Sequence, residues 1–417
     1  VRDAALVFGS SMIVNVTNYG IHFALSRKLG VVDYGTLAAL LNVLTLVAIP
    51  SAIVTMIVVK FVAEFHALDD RAKIRVLSER VLLLSGSLAA VLFLLTVVFR
   101  DRIASYFHMT DSGPLIAAAV VMTLSLTLPL LRGVLQGSQD FWRFCISTVT
   151  EAIGRISFAI LFVYMGFGLT GAFAGSALAS AICLVYTVYS VRLHWAHART
   201  KLHLDLPRMW LTTGGVVATT VCLTIMGFID VPLVKHFFQP EEAGIYGAVS
   251  VCGKMLFFLV GFVPTVILPK ATTRAAQNRP VKPVLLQGLL ATLLLSSGAL
   301  VAFYVFPKFI VGITYGPKFL PAASYVFVYG LAMAFLAGTS VVTTYKIGMH
   351  RFGFVVPLAL VAIAEVVGIH AFHNTLWNVI VILLAGHTLA FVVCSLRILE
   401  PASYVQSKGK LLFDAIR

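Results

Sequence analysis

Twelve apolar runs, each about as long as a membrane is thick, leave few folds open to this chain. They lie near residues 4–26, 37–61, 80–99, 114–135, 144–166 and 169–192. A second set follows near 210–236, 245–268, 284–306, 321–345, 354–372 and 376–398. A helix needs about 20 mostly apolar residues to cross the hydrocarbon layer, and the runs match that requirement. They are continuously apolar, without the alternation that marks the strands of an outer-membrane barrel. Composition agrees: 59% of the 417 residues are hydrophobic and only 12% charged, about half the charge of a soluble domain. Most of this surface needs lipid as its solvent. The first run is too long for the apolar core of a signal peptide, so it is expected to stay as a span, while a first residue of Val points to a trimmed start.

Lys and Arg remain preferentially on cytoplasmic loops. With the N-terminus placed inside, 21 of the 31 cations fall on inner loops and 7 on outer ones. The expected topology therefore has both termini in the cytoplasm, in a multi-pass protein of the inner cell membrane. The net charge of +14 is then a topological signal, and no nucleic-acid partner is expected. The outer loops are short, the longest lying near 100–113 and 307–320, so they hold no room for a catalytic domain. The five cysteines stand singly inside apolar segments, without the paired spacing of a disulfide framework or zinc site.

Half a chain apart, the sequence repeats itself. "LGVVDYGTLAALL" (29–41) and "FFQPEEAGIYGAV" (237–249) each place acid, then Gly and Tyr, before an apolar run. Gly35 and Gly244 open the second and eighth spans. Both spans contain a proline (Pro50, Pro264) and meet a cation at the expected cytoplasmic end (Lys60, Lys270). Segments six spans apart share an orientation, so the halves read as parallel repeats, an arrangement typical of transporters with a site between the halves. Acids also suit any helix start, which is the plainer reading of Asp33, Glu241 and Glu242. The expected fold is an all-α polytopic membrane protein, with twelve transmembrane helices in two parallel-repeat six-helix bundles around a central cavity. The divisions are 1–203 and 204–417, with 193–209 as the linker.

Ionisable groups at membrane depth are costly and point to function. Glu151 and Arg155 stand four apart in span 5, either as a self-neutralising pair or as a fork for an anionic head group. Asp230, two residues before Pro232 in span 7, is the first choice for a coupling-ion carboxylate, with a salt bridge to Lys235 as the competing reading. Lys254 in span 8 reads as a cation facing a wet cavity. Its "GAVSVCGKM" context misses the phosphate-loop spacing by one residue. Glu365 stands alone in span 11 and suits proton uptake. His370, His373 and His387 are expected at the interface. In span 1, Ser11, Asn15, Asn18 and His22 form a polar stripe, supported by Asn42 and Thr45 in span 2. The stripe serves either interhelical hydrogen bonds or a hydrophilic pathway. Arg27 and Lys28 end span 1 against the charge bias, which suggests a purpose there. Gly171 and Gly175 in span 6 read as helix packing.

"LSRKLGVVDYGTLAALLNVLTLVAIP" (25–50), "LQGSQDFWRFCISTVTEAIGRISFAILF" (135–162) and "DVPLVKHFFQPEEAGIYGAVSVCGKML" (230–256) resemble the polysaccharide transporter, or oligosaccharide flippase, family. It is a branch of the multidrug/oligosaccharidyl-lipid/polysaccharide exporter superfamily. The resemblance covers essentially the whole chain. It implies transfer of a polyprenyl-pyrophosphate-linked oligosaccharide to the outer leaflet by alternating access, driven by H⁺ or Na⁺ without a cofactor. It also implies a monomer among membrane lipids, working beside glycan polymerase or ligase machinery. On this chain, Arg27 and Arg155 match arginine positions of spans 1 and 5, Asp230 matches the span-7 aspartate, and Lys254 stands where an arginine is common. Substrate contacts are then expected from Arg155, Lys254, Arg27, Lys28, Asn15 and Asn18, and ion coupling from Asp230, Glu151 and Glu365. Ion-coupled multidrug efflux is the alternative, although Arg155 and Lys254 favour anionic cargo. A membrane glycosyltransferase or polymerase stands further off, for want of an acidic catalytic motif.

Overall fold

The computed structural model describes residues 2–195, 206–277, 279–349 and 351–396. The expected division at 203/204 lies outside them. Sixteen α-helices are formed by the described residues, without strands. The first half consists of α1 (Arg2–Val47), α2 (Ile49–Ala67), α3 (Arg71–Val98), α4 (Arg100–Tyr106), α5 (Gly113–Gly137), α6 (Phe141–Phe162) and α7 (Gly168–Arg192). The second half holds α8 (Leu206–Phe228), α9 (Asp230–Phe237), α10 (Pro240–Val260), α11 (Phe262–Ala276), α12 (Lys282–Val305) and α13 (Pro307–Tyr315). It closes with α14 (Ala323–Gly348), α15 (Val355–Ala371) and α16 (Leu376–Ser395).

Sixteen helices make twelve crossings because the sequence breaks several spans and fuses two others. Gly30, at φ 81° and ψ 178°, separates spans 1 and 2 inside α1, in a conformation that only glycine adopts cheaply. Span 2 breaks between α1 and α2 just before Pro50, and span 8 breaks at Gly261 just before Pro264. Span 7 breaks at Ile229, because the Pro232 ring would clash with the carbonyl four residues back, at Phe228. The short helices α4 and α13 follow the third span of each half, in the two longest loops of one face. The fold is therefore two parallel-repeat six-helix bundles around a central cavity.

The duplicated stretch finds its explanation in the packing. A Cβ on Gly35 would lie 2.7 Å from the backbone nitrogen of Gly244, and one on Gly244 would strike the Val31 carbonyl. The two echoes thus cross each other, backbone on backbone, at the seam between the halves. Tyr34 and Tyr246 are fully buried beside this crossing. Glu241 and Glu242 sit in the first turn of α10, as helix-start acids. Gly175 similarly brings α7 against the α6 backbone, where a Cβ would lie 2.6 Å from the Ala159 nitrogen.

Lipid-facing surface is easily recognised. Val356, Leu360, Ile363 and Val367, spaced along one face of α15, are each between 59% and 68% exposed. Each such side chain left in water would forgo roughly 2 kcal/mol of burial. In hydrocarbon the same stripe is matched to its solvent. The protein is a multi-pass membrane protein.

The face on which α1 begins is called here the terminal face, and its opposite the far face. On the terminal face, Asp70 and Asp140 cap α3 and α6 in the same way. Each carboxylate accepts from the amide three residues on, Lys73 or Arg143, and pairs with that residue's side chain. On the far face the halves are clamped together. The Tyr106 ring stacks on His236 at 3.7 Å between centroids. His236 Nδ1 donates to the Tyr106 carbonyl at 2.9 Å, and His108 Nε2 donates to the His236 carbonyl at 2.9 Å.

Candidate functional site

A cavity of about 380 Å³ lies between the halves. Its wall is polar from α1 (Asn15, Asn18, His22, Asn42, Thr45), α5 (Ser125), α6 (Glu151, Arg155) and α7 (Ser180), with Lys254 from α10. Tyr19, Phe228 and Phe258 supply aromatic surface. A second chamber of about 230 Å³ shares Asn15, Asn18, Glu151 and Arg155 and continues along α1 to Ser10 and Ser11, beside Arg132, Phe144 and Thr148. The cavity thus extends toward the terminal face, while the far face is clamped. The span-1 polar stripe lines this path, with Ser11, Asn15, Asn18 and His22 all on it.

The charges in the wall are arranged differently from the sequence expectation. Glu151 does not pair with Arg155. Its two oxygens are taken by Arg132 of α5, at 2.7 Å, and by the Ser180 hydroxyl of α7, at 2.8 Å. Arg132 is itself aimed by α6, donating from Nε to Ser147 Oγ at 2.8 Å and from Nη2 to the Ser147 carbonyl at 2.9 Å. A partner presented across the bundle has displaced the neighbour one turn away. Arg155 is left with its Nε buried and unpartnered. Among the described residues of the two chambers, it is the charged side chain without an ion pair or hydrogen bond.

Lys254 lines the cavity but is not free. Its ammonium donates to Asn42 Oδ1 at 2.6 Å, reaches Asp230 Oδ1 at 3.3 Å, and lies 4.8 Å over the Phe228 ring. Asn42 belongs to the first half, so this tie crosses between the bundles. Asp230 is wholly buried behind the cavity wall. Its other oxygen accepts from Tyr329 at 2.7 Å and Tyr246 at 3.0 Å, and Ser250 bonds Tyr329 at 2.9 Å. The alternative partner, Lys235, points elsewhere, since five residues turn a helix by about 140° beyond a full turn. Its buried ammonium makes no hydrogen bond and interacts electrostatically with Asp33 and Glu241.

Two further expectations are corrected. Arg27 and Lys28 do not line the cavity. Arg27 donates to the Ile313 carbonyl at the end of α13 and covers the Phe23 ring, and Lys28 lies over Tyr164. Both serve as far-face anchors, because the last turn of span 1 meets α13 and the turn after α6. Glu365 has a partner after all, and His387 is not interfacial. His387 stands midway along α16, fully buried, with Nε2 3.4 Å from Glu365 Oε2. His370 and His373 do sit at exposed or half-exposed helix ends. The residues missed by the sequence reading are Arg132, Ser147 and Ser180. Arg132 lay inside the fourth apolar run, and that was the available signal.

The arrangement is two bundles, a polar cavity along their seam, and ionisable groups held at its wall. Solved structures share the fold. A multidrug resistance transporter of the MATE family in its inward-facing conformation superposes with a TM-score of 0.77 at 12% identity, covering 91% of this chain and 92% of that one. The lipid II flippase MurJ in an inward closed conformation gives 0.71 at 13% identity, over 94% and 86%. A MOP superfamily transporter from Pyrococcus furiosus, described as having a binding pocket of reverse polarity, gives 0.65 at 12% identity over 94% of each chain. At such identities the likeness speaks for the fold alone. No curated protein sequence matches significantly. A sequence profile of the family described as "Polysaccharide biosynthesis protein" matches residues 24–324, and the chain belongs to that family.

Proposed function

We propose that this protein is a flippase that carries a polyprenyl-pyrophosphate-linked oligosaccharide from the cytoplasmic to the outer leaflet of the inner membrane, for cell-surface polysaccharide of the O-antigen type. The observation that carries this reading is the unpaired Arg155 guanidinium in a cavity whose other charges are neutralised. A planar fork of donors is suited to a phosphate group. The amides of Asn15 and Asn18 offer donors and acceptors to sugar, and the hydroxyl oxygens of Ser125 and Ser180, whose hydrogens go to the Met122 carbonyl and to Glu151, offer acceptors. The lipid tail stays in the bilayer beside the seam. The terminal face is the cytoplasmic one, on the charge bias of the loops, so the cavity would load from the cytoplasm. Asp230 and Glu365 serve coupling, with H⁺ or Na⁺ as the ion and no cofactor, and the monomer is the working unit, an exporter rather than an enzyme.

Export of amphipathic cations fits less well, because the free charge in the cavity is positive. Deleting the gene and analysing lipid-linked intermediates is the decisive experiment. Accumulation of an undecorated-surface precursor, a complete oligosaccharide on its polyprenyl-pyrophosphate, is expected. A normal intermediate pool together with drug sensitivity would move the assignment to efflux. Sidedness has its own test: a cysteine at position 242, on the far face, is expected to label from outside in intact cells.

A further inference from the structure

Behind Asp230 lies a second buried pair whose geometry dictates where a proton must be. His387 is enclosed by acceptors. Its Nδ1 is 3.0 Å from the Ala332 carbonyl of α14, and its Nε2 is 3.2 Å from the Met226 carbonyl of α8 and 3.4 Å from Glu365 Oε2 of α15. A carbonyl can only accept, so each ring nitrogen must carry hydrogen to avoid facing a lone pair with a lone pair. The ring is therefore an imidazolium and Glu365 its counter-ion. Both Glu365 oxygens are buried and make no hydrogen bond, so the Nε2 hydrogen held by the Met226 carbonyl is the one nearest the carboxylate. Gly386 makes this possible, since a Cβ there would lie 2.5 Å from Glu365 Oε2.

We propose that Glu365 and His387 together form a binding site for one exchangeable proton, and that this proton, not a sodium ion, is the coupling ion of the transporter. The inference deepens the transport reading above and rests on it for the word coupling. The loaded pair is neutral overall. Release moves the Nε2 proton to water and leaves a carboxylate beside a neutral ring. The groups facing the pair are Asp230 of α9, Tyr246 of α10 and Tyr329 of α14, and these interact with it electrostatically. Lys254 stands one step further, paired to Asp230. Losing the proton therefore adds negative charge behind Asp230, on the side away from the cavity, and changes the field at the tie between Lys254 and Asn42 that joins the halves. These electrostatic interactions and the Asp230–Lys254–Asn42 contacts link proton occupancy to the seam. A cation cannot replace the proton in this cage, because the space among the carboxylate and two carbonyls is filled by the ring.

The test is infrared difference spectroscopy of the reconstituted full chain, cycled between acidic and alkaline buffer without sodium and without cargo. Imidazolium bands and a shifted carboxylate stretch are expected in the difference spectrum, and both are expected to vanish in Glu365→Gln and in His387→Gln, because the pair titrates as one. Gly386→Ala keeps every titratable group but crowds the carboxylate, and is expected to move the midpoint by about one pH unit, a tenfold change in proton affinity. The inference is overturned if the bands survive in both Gln variants, if Gly386→Ala leaves the midpoint in place, or if sodium at constant pH reproduces the alkaline spectrum. Should His387→Gln fail to fold, the Glu365 and Gly386 variants decide the matter. Intact bands in a protein whose deletion leaves glycan export normal would break the flippase reading and leave the proton site standing.

Discussion

The two halves handle charge in opposite ways. In the first half, Arg132 and Ser180 hold both Glu151 oxygens, and Arg155 acts on that carboxylate only through its field, without an ion pair or hydrogen bond of its own at the cavity wall. In the second half, Asp230 with Lys254 and Glu365 with His387 are matched within buried networks. One bundle thus holds a spare cation at the cavity wall, and the other holds compensated pairs buried behind it. The difference teaches that a repeat in the backbone need not repeat the chemistry. The duplicated glycines make a symmetric seam, and the polar residues hung on it divide the labour.

The comparison breaks most visibly if Arg155 is not the cargo's cation. Arg155→Ala is expected to abolish complementation of glycan export at normal protein levels, and Arg155→Lys to restore only part, because an ammonium lacks the fork. Full export by the alanine variant would place the anion contact elsewhere. Next in size is Asp230→Ala, which strands a buried ammonium and is expected to cost about 3–5 kcal/mol of stability, read as a lowered Tm. The gentler Asp230→Asn should fold and lose gradient dependence in liposomes, and gradient-driven transport by that variant would remove Asp230 from coupling. A smaller effect is expected at the seam. Gly244→Ala drives a methyl into the Val31 carbonyl, an overpacking of about 1–3 kcal/mol, and it should shift crosslinking between positions 106 and 236 on the far face. Unchanged crosslinking would mean that the glycine crossing does not set the closure.

The smallest effect sharpens the comparison by lying outside both networks. Asp140 caps α6 on the terminal face. Burial pushes its carboxyl upward, but the hydrogen bonds from the Arg143 side chain and amide and from His194 outweigh it and hold the group below its ordinary value. A depressed carboxyl stabilises the fold above its unfolded value and loses that contribution as pH falls through the folded one. Asp140→Asn is therefore expected to cost about 1 kcal/mol or less of stability at neutral pH, read as a modestly lowered Tm, with the difference from the parent shrinking below about pH 4. A gap that persists in acid would assign the effect to packing.

Much of the architecture was legible because lipid imposes a length on every span, and length can be counted along a chain. Twelve runs, a proline in each of two echoed spans and one echoed motif were enough for the two-bundle fold, and Asn15, Asn18 and Arg155 line its cavity. Pairing was not legible. Glu151 lies one turn from Arg155 in sequence but pairs with Arg132, and Glu365 looked solitary although His387 lies 22 residues on, on the next helix. A charge inside a membrane must find a partner, and the chain alone determines that such a charge exists and roughly how deep it sits. Which partner it takes depends on which helix faces come together, and only the packed bundle decides that.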